Sequence, residues 1–313
     1  MKSVTRASHP KKPGSRWMRF KSFLPLYLML VPGMLYFIIF KYLPMAGVSI
    51  SFMDYYPFLG FMGSKWVGLK HFQRLFSEPL LWQLLGNTII LALYNIILFF
   101  PLPIILALLI NEVRGKKFKS TVQSVLYLPH FISWVVVAGI CYNLFSPTAG
   151  AITKLLNGFG LEAPNILGEA SWFRPLITGQ VIWKESGWGT IIFLAALAGV
   201  DVSLYEAADL DGATRLQKIW HITLPAIRST IIIMLILRLG SFMDSGFEQI
   251  YLMLNSTNRE VGEVFDTYVY TAALINGQFS YSTAVGLFKS VINMVLVLGA
   301  NQLAKFFGEE GVY

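Results

Sequence analysis

Six apolar runs, each long enough to cross a bilayer, constrain this chain more than any other feature of it. They cover roughly residues 22–44, 85–110, 121–145, 173–200, 229–254 and 282–304. About 20 apolar residues span the hydrocarbon core as a helix, so the expected fold is an all-α polytopic membrane protein with six transmembrane helices. The fourth run is the weakest, because Lys184-Glu185 interrupts it and Gly187 and Gly189 follow. Composition agrees. Of 313 residues, 55% are hydrophobic and only 13% charged, whereas soluble domains approach a quarter charged.

The basic residues give the orientation. Seven of the 25 (Lys2, Arg6, Lys11, Lys12, Arg16, Arg19 and Lys21) crowd the first 21 positions, with no acid among them. With this tail inside, the cytoplasmic segments 1–21, 111–120, 201–228 and 305–313 hold 7, 4, 3 and 1 Lys or Arg, against seven in the outside segments and span ends. That imbalance predicts an N-in, C-in topology. The expected organisation is a basic N-tail (1–21), a six-span domain (22–304) and a C-tail (305–313), in the cell (plasma or inner) membrane. A cleaved signal peptide is the competing reading of the first run. Residues 22–44 are too long for a typical h-region, however, and no A-x-A site follows.

Several function classes drop out. The net charge of +8 is concentrated in the tail rather than in any nucleic-acid-binding pattern. The single cysteine, Cys141, excludes an intrachain disulfide, and His9, His71, His130 and His221 form no metal-ligand cluster. No GxxxxGK[ST] occurs, so the chain has no P-loop of its own. An intramembrane enzyme would need a catalytic constellation at membrane depth, and His130, ahead of Phe131-Ile-Ser133, has no obvious acid partner.

One stretch is elaborate for a connecting loop: EAADLDGATRLQKIWHITLP, residues 206–225, between spans 4 and 5. Ser203-Leu-Tyr-Glu206 and Thr214-Arg-Leu-Gln217 both fit capping boxes. Gly212 suits the left-handed position that ends a helix, and Pro225 is expected to stop the second helix and open span 5. Ala207, Ala208 and Ala213 are small enough to let another protein approach the backbone. The pattern Glu206-Ala207-Ala208, Gly212, Ile222, Leu224-Pro225, at this place among six spans, resembles the EAA loop of ABC-importer permeases. FEQIYLMLN (247–255), DTYVY (266–270) and STAVGLFKSVIN (282–293) look like the carbohydrate-uptake, maltose-type permeases, in particular their polysaccharide or "lipoprotein-type" branch. A second proline, frequent four residues after the first in related loops, is replaced here by Ser229.

The resemblance implies a non-catalytic subunit whose EAA loop docks in a cleft of a separate ATPase, with Glu206 in polar contact, Gly212 permitting the turn, and Asp211, Ala213, Ile222, Leu224 and Pro225 shaping the surface. It implies two ATPase copies carrying ATP and Mg, a second permease (a heterodimer, with a homodimer as the alternative), an extracellular or periplasmic solute-binding protein and a carbohydrate substrate, with no cofactor in this chain. A non-sugar solute such as a peptide remains an alternative, as does an ion-driven secondary transporter.

Charges within spans usually face a bundle interior or water. Lys184, Glu185, Arg238, Asp244, Glu248 and Lys289 meet that description, as solute contacts or as structural pairs. Lys184 and Glu185 are adjacent and are expected to need separate partners, while Asp244 and Glu248, at i and i+4, are expected on one face. Trp183 and Trp188 bracket the interrupted part of span 4, and a broken helix there would line a cavity. The sugar-site expectation rests on them, with Asn87, Asn95, Ser133 and Asn293 as possible path-lining or helix-bridging polar groups.

Overall fold

The computed structural model describes residues 16–306. Most of the expected N-tail, up to residue 15, and the C-tail beyond residue 306 lie outside them. The chain divides into two compact units, Met1–Ile50 and Ser51–Tyr313. In the first, an apolar helix starts at Arg16, carries Pro25 and Pro32 within it, and widens by one residue per turn over Ile38–Tyr42.

Among its described residues the second unit consists of helices and their connecting turns, with one antiparallel pair of two-residue strands, Met53–Asp54 and Lys65–Trp66. Span 2 runs from Leu80 to Glu112 and span 6 lies within Phe279–Phe306. In span 2 the turn before Pro101 widens, with Phe100 N–H donating to Asn95 O at 2.9 Å. That turn accommodates a proline, which has no N–H to give. Span 4, Ala170–Ala198, is unbroken over 29 residues. The expected interruption is absent, and the glycines explain why. A Cβ on Gly187 would lie 1.9 Å from the main-chain O of Leu126, and one on Gly189 3.0 Å from Pro103 Cγ. These glycines let neighbouring helices touch span 4; they do not break it.

The breaks fall in spans 3 and 5 instead. Lys116–Phe131 and Trp134–Phe145 meet at 99°. Pro129 ends the first of these as a tight turn, Ile132 is extended, and Ser133 caps the second by accepting from Val136 N–H. Arg215–Ala226 and Arg228–Gly240 meet at 61°. Pro225 therefore does not stop the helix. A wider turn over Ile219–Thr223 absorbs it, and the bend comes at Ile227, which leaves helical ψ (φ −98°, ψ 6°) and is fully buried. Ser229, at the non-proline position, lies in the first turn beyond the bend. Span 5 ends at Gly240 rather than continuing to 254, and the chain turns through left-handed Gly246 (φ +80°) into a separate helix, Phe247–Met253.

Three apolar clusters hold these elements together. One joins spans 2, 3 and 4 to the helix Phe247–Met253 through Leu91, Cys141, Phe173, Ile177 and Ile250. A second joins spans 2 and 6 to the helices Lys70–Ser77 and Phe265–Tyr270 through Leu75, Leu84, Phe265 and Val285. The third, Ala107, Phe193, Leu197 and Ile227, lies beside the bend of span 5. Most buried polar groups are paired, as burial demands; among the described residues the hydroxyls of Thr88, Ser186 and Ser245 are buried without a partner. Gln249 Nε2 donates to Gln180 Oε1 (2.8 Å) and Gln180 Nε2 to Cys141 Sγ (3.0 Å). Asn87 Nδ2 donates to the carbonyls of Glu260 and Glu263, and its Oδ1 accepts from Arg174. Asn87 is thereby a helix-bridging group.

Candidate functional site

The loop between spans 4 and 5 is a pair of helices whose ends are closed by local chemistry. Val202–Leu210 is capped by Asp201, which accepts from Ser203 N–H at 2.9 Å. This replaces the expected Ser203 box. Aspartate caps as well as serine does, and its charge also favours a helix N-terminus. The bond to Ser203 N–H holds the Asp201 carboxyl below its ordinary range. The helix ends as a Schellman motif: Gly212 is left-handed (φ +71°), Gly212 N–H reaches Asp209 O at 3.2 Å, and Ala213 N–H reaches Ala208 O at 2.9 Å. The expected Thr214–Gln217 capping box is present in both directions.

The two helices are then fastened to each other. Lys218 pairs with Asp209, and Tyr205 OH lies 2.9 Å from Thr223 Oγ1. Glu206, Ala207, Asp211, Gly212 and Pro225 are exposed, while Ala208, Ala213, Ile222 and Leu224 are half-buried. Ala208, Asp211, Gly212, Ala213, Lys218, His221 and Ile222 border a cleft of about 330 Å³. The result is a mostly exposed helix pair, fastened to itself and attached at both ends to spans.

A second cavity, also about 330 Å³, lies between spans 2, 4 and 5, lined among others by Phe99, Phe100, Pro103, Glu185, Trp188, Arg238 and Ser241. A narrow pocket of about 20 Å³ shares Arg238 and Ser241 with it and adds Asn95, Asp244 and Ser245. Arg238 thus stands at the junction of the two. Its Nη2 donates to Asn95 Oδ1 at 3.1 Å, and its guanidinium lies 5.1 Å from the Phe99 ring centroid.

Lys184 and Glu185 do not need separate partners. Lys184 Nζ lies 3.1 Å from Glu185 Oε1 and 2.7 Å from His130 O, and Glu185 Oε2 lies 2.8 Å from His130 Nδ1. His130 therefore has an acid partner after all, and its ring stacks on Trp188 with centroids 4.5 Å apart. The bend in span 3 brings residue 130 onto span 4, which linear spacing does not reveal. Lys289 Nζ bridges Asp244 (2.6 Å) and Asp266 (2.5 Å). Asp244 and Glu248 do not share a helical face: Asp244 follows the end of span 5, and Glu248 is exposed in the next helix. Trp183 and Trp188 also part company. Trp188 lines the Arg238 cavity, whereas Trp183 faces a separate apolar groove of about 500 Å³ beside Cys141, Trp172 and Gln180.

Comparison with known proteins bears on both regions. Residues 89–307 match the family described as "Binding-protein-dependent transport system inner membrane component". The polygalacturonan/rhamnogalacturonan transport system permease protein YteP of Bacillus subtilis (strain 168) is 58% identical over 288 residues, covering 92% of this chain and 90% of its own. Protein LplB of the same organism is 56% identical, covering 92% and 91%. A chain in the crystal structure of a bacterial alginate ABC transporter, in complex with an alginate-pentasaccharide-bound periplasmic protein, superposes with a TM-score of 0.88 at 39% identity, covering 95% of this chain and 99% of that one.

Proposed function

The chain belongs to the family of binding-protein-dependent transport system inner membrane components, and we propose that it is the membrane-spanning permease subunit of an ATP-driven ABC importer for an oligosaccharide. The relatives named for polygalacturonan, rhamnogalacturonan and alginate transport support the class of solute. The observation that carries the coupling is the exposed, doubly capped helix pair on either side of Gly212. Counting each bent pair as one span gives six, with both termini and this helix pair on the cytoplasmic side.

In this reading two ATPase subunits, which hold ATP and Mg, close against Glu206, Ala207 and the Gly212 turn. They move the paired helices as one body, because Lys218–Asp209 and Tyr205–Thr223 fasten them together. The 61° bend at Ile227 passes that motion into Arg228–Gly240, whose far end carries Arg238. Energetically this is a two-state element biased by ligands at distant sites. Spans 2, 4 and 5 supply one wall of the pathway, and a second, different permease supplies the other. An external binding protein delivers the solute. Co-purification from gently extracted membranes tests the assembly. Wild type should bring down an ATPase, a second permease and a binding protein, and Glu206→Ala/Gly212→Pro should bring down less ATPase. Recovery of the chain alone, in several mild detergents, would refute it.

A further inference from the structure

The geometry points to Arg238 as the residue that reads a carboxylate of the transported saccharide, so that the importer selects uronate-containing oligosaccharides over neutral ones. The inference rests on the importer reading and goes beyond it to a specificity-determining residue. Three cations lie within spans 4, 5 and 6: Lys184, Arg238 in the last turn of its helix, and Lys289. Two of them are already answered by carboxylates. Lys184 has Glu185, and Lys289 has Asp244 and Asp266. Arg238 has no carboxylate within ion-pair distance among the described residues. Its side-chain hydrogen bonding amounts to one bond to a neutral amide, Asn95 Oδ1.

A cation within a span is costly unless something meets it. A guanidinium carries five donors in a planar fork that matches a carboxylate bidentately. Here most of the fork is unspent and the group faces a cavity.

The surroundings suit a sugar acid. Glu185 lines the same cavity, but Lys184 and His130 hold both of its oxygens, so it offers little repulsion to an incoming anion. Asp244, in the narrow pocket, is taken up by Lys289. Phe99 is buried against the guanidinium, and Trp188, half exposed and stacked on His130 by one face, leaves its other face to the cavity for pyranose C–H groups. Ser245 Oγ, beside the narrow pocket, is buried with no hydrogen-bond partner among the described residues. The relatives named for polygalacturonan and alginate move polymers of uronic acids, whose carboxylates are the charge the fork would bind.

The test uses the assembled importer in nanodiscs, with radiolabelled trigalacturonate and its carboxyl-reduced, neutral counterpart as probes. Wild type should bind the acidic sugar about tenfold or more tightly than the neutral one, as a charge-assisted bond requires. Arg238→Gln should erase that preference. Arg238→Lys should keep part of it, because a point charge lacks the fork. Asn95→Ala removes the acceptor that holds the guanidinium and should reduce the preference less than Arg238→Gln does. No preference in wild type, or a preference that survives in Arg238→Gln, overturns the inference. So does an equal loss of both sugars in Arg238→Gln and Asn95→Ala, which would make the pair a structural clamp. A wild-type complex that takes up no saccharide at all would instead defeat the importer reading and this inference with it.

Discussion

Gly187→Ala should loosen the membrane domain far more than one methyl group suggests. The new Cβ would stand 1.9 Å from Leu126 O and 2.4 Å from Leu126 C, both main-chain atoms that no rotamer change can move. Reaching even 3.0 Å requires a shift of 1.1 Å (3.0 − 1.9) between span 4 and the helix Lys116–Tyr127. Overpacking of this kind costs about 1–3 kcal/mol. The same shift pulls His130 O away from Lys184 Nζ, now at 2.7 Å, and a bond to a charged group contributes about 1.5–3 kcal/mol. Together these lower the melting temperature of the purified complex by on the order of 5–10 °C, measured as the loss of the monodisperse peak after heating.

Two alanines on the same helix calibrate the result. Gly189→Ala meets only the Pro103 side chain, Cγ at 3.0 Å and Cβ at 3.1 Å, and should be milder. Gly179→Ala meets nothing within 4 Å and should be neutral or gain up to about 1 kcal/mol of helix propensity. If Gly187→Ala melts where Gly179→Ala does, the close approach of these helices is not what those glycines are for.

Gly212→Ala forces an L-residue to φ +71° and should cost about 1–2 kcal/mol; weaker retention of the ATPase on the purified complex, with span packing unchanged by heating, would check it. Lys289→Met strands Asp266 and should cost about 2 kcal/mol, and adding Asp266→Asn should restore most of the lost thermal stability; no rescue would mean the pair is incidental. Glu263, buried outside the spans, has its carboxyl pKa raised by desolvation, against which the neighbouring Arg259 acts to lower it. A raised folded pKa gives stability that is complete below the unfolded value and lost as pH rises through the folded one. Glu263→Gln should therefore flatten the fall in melting temperature from the carboxylate range toward neutral pH, and a slope identical to wild type would contradict this.

Features set by neighbours in sequence are legible in the sequence itself. The Thr214–Gln217 box and the turn at Gly212 depend on residues a few positions apart, and six apolar runs announce a membrane domain by length alone. Features set by what packs across the bundle are not. Glycine is ambiguous: Gly187 and Gly189 look like breakers in a line of text, yet Leu126 and Pro103 make them contact points. Ile227 gives no sign of a bend, because its conformation follows from burial beside Phe193 and Leu197. The Lys184–Glu185–His130 cluster joins residues 54 and 55 positions apart, and only the 99° turn after Pro129 brings them together. Asp266 went unnoticed as the second acid on Lys289 for the same reason.

ATP-driven uptake in proteoliposomes tests the coupling most directly. The complete complex, supplied with its binding protein and a labelled oligosaccharide, should accumulate sugar only when ATP is present. Glu206→Ala/Gly212→Pro should still bind the sugar but accumulate none, because the lever no longer joins the motor to span 5. Accumulation that continues without ATP, or that survives in the double variant, would contradict coupling through this loop.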